Sequence, residues 1–209
     1  MAHEPGPKTV MGMTFPPGEE GGVAALGFLA GHPATHRLLA TKLARHFAAD
    51  DPPDAAVSRI EAALRDSGGD LGAASCVCVG LDAPWRPLQK LRSPQDYAIA
   101  VWRAADLPSE QLGDVVPVFG KLGQPLFGAP LPNGWPDRAS EWAGPEALLR
   151  RVDWAYSVAG QMSGADPFRI ANQSLGPLIR PATLDALRRA GSRRDALALL
   201  LSSPEFQRR

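Results

Sequence analysis

His32-Pro33-Ala34-Thr35-His36-Arg37-Leu38-Leu39-Ala40-Thr41-Lys42-Leu43-Ala44-Arg45-His46-Phe47-Ala48-Ala49-Asp50-Asp51-Pro52-Pro53 reads as a helix with both ends marked. His32 stands at the N-cap position and Pro33 at the first helical position, where a missing N–H costs nothing. His36, Ala40, Leu43 and Phe47 recur at i, i+4, i+7 and i+11, with Leu39 beside them, as one apolar stripe. Arg37, Thr41 and Arg45 line the other side. Asp50-Asp51 before Pro52-Pro53 ends the helix, because a residue preceding proline is pushed out of helical angles.

The same grammar extends outward in both directions. Residues 1–22 are Gly- and Pro-rich and read as loop, or as the remnant of a missing N-terminal half. Gly6-Pro7-Lys8-Thr9 is only a fragment of a phosphate-loop pattern, with Pro7 splitting Gly from Lys. Val23–Ala30 reads as a short helix stopped by Gly31, with Glu19 and Glu20 before it. Asp54–Asp66 carries Val57, Ile60, Ala63 and Leu64 inward, and Asp70 caps a helix over 71–81. Ala83–Pro87, with Trp85, is a loop. Ser93-Pro94 opens a helix in the favoured N-cap and N1 order. Ser109 caps another over 110–122, where Pro117 predicts a kink.

Residues 123–136 form a long Gly/Pro-rich loop, which Phe127 and Trp135 are expected to hold to the body. Asp137 is placed to cap a short helix to Trp142, and a long helix follows from Pro145 to about Gln161. Residues 163–167 are a turn and 168–174 are ambiguous. Helices over 181–190 and 193–201, the second capped by Ser192, complete the chain. No stretch alternates with β-branched residues as a strand does, and the apolar content is rich in Ala and Leu. The expected fold is all-α: an irregular multi-helix domain of roughly nine or ten helices, with 23–209 as one domain.

Composition excludes several classes of function. The chain is 209 residues, 44% hydrophobic and 21% charged, with 22 basic residues balancing 22 acidic ones. Such a neutral chain has no general attraction to nucleic acid or anionic membrane. The arginines near the end (Arg180, Arg188, Arg189, Arg193, Arg194, Arg208 and Arg209) alternate with Leu and Ala as a solvated helix face does. No apolar run approaches the ~20 residues of a membrane span. No signal peptide opens the sequence, so the chain as it stands is expected to stay in the cytoplasm. Cys76 and Cys78, two apart, point to nearly opposite sides of a helix and read as small hydrophobes rather than a disulfide or metal site.

Candidate chemistry concentrates in 32–53. His32 and His36 are four apart, as metal-binding pairs on helices are, with Asp50 a third possible ligand. The alternative for these residues is that His32 caps, His36 packs in the stripe and Asp50 ends the helix. Lys42, Arg45 and His46 form the candidate anion-binding set, for a group such as phosphate or sulfate. Their place near the helix C-terminus, where cations favour the dipole, explains them equally well without a ligand. No Gly-x-Ser-x-Gly elbow appears, neither cysteine has a histidine near it, and no catalytic residue or cofactor is assigned.

Three signatures together resemble one bacterial family. They are His32-Pro33-Ala34-Thr35 with Lys42-Leu43-Ala44-Arg45-His46-Phe47, then Leu122-Gly123-Gln124-Pro125-Leu126-Phe127-Gly128 with Asn133-Gly134-Trp135-Pro136, and finally Leu199-Leu200-Leu201-Ser202-Ser203-Pro204-Glu205-Phe206-Gln207. In order and spacing they are similar to the C-terminal part of the family called domain of unknown function 1800. Pro5-Gly6-Pro7-Lys8-Thr9-Val10-Met11-Gly12 resembles the family's run into that region. The resemblance implies a helical protein whose full-length relatives are about twice as long and often exported to the periplasm. It also implies genes beside a sulfatase- or phosphatase-like family, a possible partner. Cys76-Val77-Cys78 and Asp82-Ala83-Pro84-Trp85 depart from the family pattern, and Met1 is expected to be a truncated start. The functional expectation is a helical module, the C-terminal half of an exported protein, that acts by binding a partner. The alternative is a hydrolase or hydrolase accessory acting on an anionic substrate.

Overall fold

The computed structural model describes residues 5–82, 90–105, 116–162 and 164–209. The loop expected at 83–87 with Trp85, the Ser109 cap with the first half of the helix expected over 110–122, and Ser163 of the turn lie outside them. Eleven α-helices and one two-stranded sheet are present among the described residues. The chain divides into two compact units, Met1–Pro84 and Trp85–Arg209.

The first unit opens with a hairpin where loop was expected. Strand β1 (Lys8–Val10) pairs antiparallel with β2 (Met13–Phe15), Thr9 opposite Thr14. Met11 and Gly12 both have positive φ (49° and 82°), the geometry of a type I′ turn. Three-residue strands are too short for alternation to show in a sequence, and only the turn residue Gly12 hints at them. Phe15 is buried and its ring meets that of Phe28, 5.9 Å between centroids.

Helix α1 (Glu19–Ala30) starts one turn earlier than the apolar run, with Glu19 and Glu20 in its first, electropositive turn. Gly21 is required at its position: a Cβ there would lie 1.8 Å from the Pro16 carbonyl oxygen. Helix α2 (Pro33–Phe47) begins as its sequence dictates, with His32 Nδ1 accepting from the Ala34 N–H at 3.1 Å.

The buried row of α2 is His36, Ala40 and Ala44, continued by Ala48. Leu39 and Leu43 flank it, half-buried, against the core. Phe47, expected in the stripe, is 54% exposed. The row that packs follows i, i+4, i+8, which winds obliquely around the helix. By the last turn it has moved away from position 47, whose ring lies edge-on to His46 instead.

Helix α3 (Asp54–Asp66) buries Ala56, Val57, Ile60 and Leu64 and ends at Gly68 and Gly69, both with positive φ. Arg37 of α2 ties the two helices by bonding Asp54, Ser58 and Glu61. Asp70 caps α4 (Leu71–Val79) by accepting from Gly72 N–H at 2.7 Å. Cys78 faces the core and Cys76 faces outward, as two positions 200° apart on a helix must.

The second unit is built on α5 (Pro94–Ala105), capped by Ser93, whose Oγ accepts from Asp96 N–H at 3.2 Å. There follow α6 (Val116–Lys121), α7 (Ala139–Trp142), α8 (Pro145–Gln161), α9 (Pro167–Ser174), a 3-10 turn at Gly176–Leu178, α10 (Pro181–Arg188) and α11 (Arg193–Ser202). The ambiguous stretch 168–174 is thus helical; Asp166 caps it through Phe168 N–H. Leu197, Leu200 and Leu201 of α11 are fully buried, with Ala155 and Val158 of α8 and Tyr97 and Val101 of α5 in the same cluster. A chain of edge-to-face rings, Phe119–Trp102–Trp154–Tyr97–Phe206, runs through this core.

The loop after α6 is held at its ends and by one of its two aromatics. Buried Gln124 accepts from Gln95 N–H through Oε1 at 2.9 Å, and Trp142 Nε1 donates to Pro136 O at 3.1 Å. Trp135 stacks toward Trp142 as expected. Phe127 does not pack: with φ 56° it projects fully into solvent. Asp137 does not cap α7. Arg138 occupies the N-cap without a side-chain capping bond, and Asp137 is engaged by the buried Lys90 ammonium through both its carbonyl and its carboxylate.

Candidate functional site

In the second unit, Asp96, Ile99, Ala100, Arg103 and Ala104 fall at i, i+3, i+4, i+7 and i+8 of α5 and share one face. That face forms a wall of a cleft of about 600 Å³, a size suited to a small organic ligand. Gln173 and Ser174, at the end of α9, line it as well. Arg92, Phe206 and Arg209 complete it.

Arg92 and Arg209 reach the cleft through a pairing between distant parts of the chain. Leu91 bridges antiparallel to Arg208, with Arg92 N–H donating to Gln207 O at 2.8 Å and Arg209 N–H to Lys90 O at 2.9 Å. The Arg92 guanidinium donates to Phe206 O at 2.9 Å and lies 5.2 Å over the Phe206 ring. Arg209 pairs with Asp96 at 3.5 Å. Arg103 is exposed and has no ion pair or hydrogen bond among the described residues. Burial pulls the Arg92 pKa down, Asp96 pushes it up and Arg209 pulls it down again. A cation partly stripped of water and repelled by a second cation gains from an incoming anion more than a solvated one does.

Beneath the cleft lies a buried polar knot. Arg151 is 1% exposed; it donates to Gln207 Oε1 at 2.8 Å and sits 5.2 Å over the Tyr97 ring. Its Nε and one terminal nitrogen have no hydrogen-bond partner among the described residues. The Tyr97 hydroxyl lies 3.2 Å from Leu201 O and 3.4 Å from Arg151 O, and burial pushes its pKa up. Gln207 Nε2 donates back to Leu201 O at 3.2 Å. This knot fastens α5, α8 and the final turn, and so fixes Phe206 and Arg209 at the cleft.

The residues singled out in 32–53 belong to the first unit. Lys42, Arg45 and His46 share a face of α2 by spacing, Lys42 and His46 exposed and Arg45 half-buried. Arg45 Nε donates to Asp50 O at 3.1 Å, closing the helix end. His32 and His36 take different environments: His32 caps at the surface against Phe28, whereas His36 is 6% exposed with Nε2 unpartnered. No group of three or more His, Cys, Asp or Glu is placed to hold a metal ion among the described residues.

The sequence reading missed Arg92, Arg103 and Arg209. One local signal existed, the single face holding Asp96, Ile99, Ala100 and Arg103. The rest depends on which residues the strand-like pairing of 90–92 with 207–209 brings together.

No helix among the described residues is long and apolar enough to cross a membrane. No curated protein and no solved structure matches the chain. A family model described as "Protein of unknown function (DUF1800)" matches residues 1–208, including the His-Pro-Ala-Thr helix start, the Gln124 loop and the Ser-Pro-Glu-Phe ending. The chain therefore belongs to the DUF1800 family.

Proposed function

We propose that this chain is a binding module whose ligand carries an anionic group, held in the cleft beside α5 by Arg92, Arg103 and Arg209. The observation that carries this reading is the convergence of three guanidinium groups on one cleft against a single lining carboxylate side chain, Asp96. Guanidinium is the side chain best suited to phosphate, sulfate and carboxylate, because its planar fork matches their oxygens. Among the described residues the polar lining groups are guanidinium, carboxylate, carboxamide and hydroxyl, with no imidazole or thiol. That chemistry favours recognition of the anion over turnover.

Nitrogen-15 NMR titration of the whole chain with inorganic phosphate tests it. The Arg92, Arg103 and Ala104 amides are expected to shift saturably, with Arg103→Ala weakening binding about tenfold. Shifts confined to Lys42, Arg45 and His46 would move the proposal to the end of α2. No saturable shift in either place would refute anion binding.

A further inference from the structure

We infer that the ligand of this cleft is an amphipathic organic anion, with a charged head at the arginines and a short apolar body along Ile99, Ala100 and Ala104. The inference rests on the anion-binding reading above and adds what the middle of the cleft contributes. Asp96 and Arg103 are seven residues apart on α5, about 10 Å of helix. Between them the same face offers Ile99 and Ala100, followed by Ala104 one turn beyond Ala100. Ile99 is 45% exposed, although it lies on a helix whose other face supplies the fully buried Tyr97, Ala98 and Val101.

The charges are arranged at the ends of this apolar strip. At one end Arg92 and Arg209 stand with Asp96, which is paired to Arg209. At the other stands Arg103, the one charged lining residue there among the described residues. An inorganic anion needs only one end and leaves Ile99 and both alanines facing water. A ligand with an aliphatic segment covers them, and its head is then held at Arg92 or at Arg103. Each methylene removed from water raises affinity about fourfold, so two lodged on Ile99 and Ala100 raise it about fifteenfold. The shared requirement is an anionic head on an apolar chain. Whether the head is a phosphate monoester or a carboxylate is decided by comparing the two.

Isothermal titration of the whole chain with inorganic phosphate, n-hexyl phosphate, hexanoate and n-hexanol tests the inference. Hexyl phosphate or hexanoate is expected to bind at least about fifteenfold more tightly than inorganic phosphate. Ile99→Ser is expected to bring hexyl phosphate close to the phosphate value without changing the latter. Equal affinities for phosphate and hexyl phosphate would overturn this inference while leaving the anion-binding reading intact. No binding by any anion would overturn both. Hexanol binding as tightly as hexyl phosphate would overturn this inference, because the head would then contribute nothing, and inorganic phosphate decides the anion-binding reading separately. Should Ile99→Ser fail to fold, the wild-type ratio stands as the test, with Ile99 methyl shifts locating the hexyl chain.

Discussion

Replacing Glu205 with glutamine should destabilise the second unit at neutral pH and barely affect it in acid. Glu205 sits in the final Ser-Pro-Glu-Phe turn with its side chain 7% exposed. Its Oε1 accepts from Arg180 N–H at 2.8 Å and from Thr183 Oγ1 at 2.9 Å, and the Arg180 guanidinium bonds the carboxylate as well. Burial alone raises the carboxyl pKa. The Arg180 guanidinium, the backbone N–H groups and Thr183 outweigh it and bring the pKa from the ordinary 4.5 down to about 2. A displacement of that size is worth about 3 kcal/mol at neutral pH, and screening of the half-exposed Arg180 reduces it to roughly 2.

The sign follows from proton linkage. The unfolded chain binds the proton more readily, so the stabilisation is fully present above about pH 4.5 and fades as pH falls toward 2. Glutamine keeps the shape and one acceptor oxygen but loses the charge. Urea unfolding followed by tryptophan fluorescence should give a deficit of about 2 kcal/mol for Glu205→Gln at pH 7, falling to roughly a quarter of that near pH 2.5. An equal deficit at both pH values would refute the reasoning, because packing rather than charge would then be its source.

Four further substitutions, at Gly21, Gly22 and Arg151, probe where burial or close approach dictates the residue. Gly21→Ala should cost about 3 kcal/mol, since its Cβ meets the Pro16 carbonyl oxygen, whereas Gly22→Ala, with open space around it, should stabilise α1 by up to about 1 kcal/mol; thermal melts of the two variants check the contrast, and equal melting temperatures would contradict it. Arg151→Met should leave stability within about 1 kcal/mol of wild type, because the cost of burying a guanidinium with two unpartnered nitrogens offsets its bond to Gln207 and its contact with the Tyr97 ring. Arg151→Ala should lose about 3 kcal/mol to the cavity; urea midpoints that fall equally for both would show that the charge itself matters.

Much of the helical layout was legible because helix ends are encoded within three or four residues. His32-Pro33, Asp70, Ser93-Pro94 and Ser192 mark starts in the sequence, and each side chain makes its capping bond in the fold. Where the local signal was thin, the reading slipped. The Lys8–Phe15 hairpin is too short for a period-2 pattern, and Asp137, a good cap by type, is drawn to Lys90, 47 positions away. Phe47 and Phe127 are apolar and yet exposed, because the first lies past the point where the packed row leaves its face and the second sits in a left-handed turn. For the candidate site, composition drew attention to 32–53, where three of the four histidines fall. The arginine cleft of the second unit is not legible in the sequence because its members are scattered from 92 to 209.

By itself the sequence determined that this chain is helical, where several of its helices begin, and which family it resembles. Each of these rests on short-range spacing: a cap reaches two or three residues, and a helix face repeats every third or fourth. Only the tertiary structure decided what those helices place together. It buried Arg151 against Tyr97 and Gln207, and it paired Leu91 with Arg208 so that Arg92 and Arg209 meet the α5 face bearing Arg103. Those contacts span more than fifty positions, and no local periodicity encodes them. They form because the α5, α8 and α11 faces must bury their apolar residues together, which carries residues 90–92 and 207–209 to one cleft.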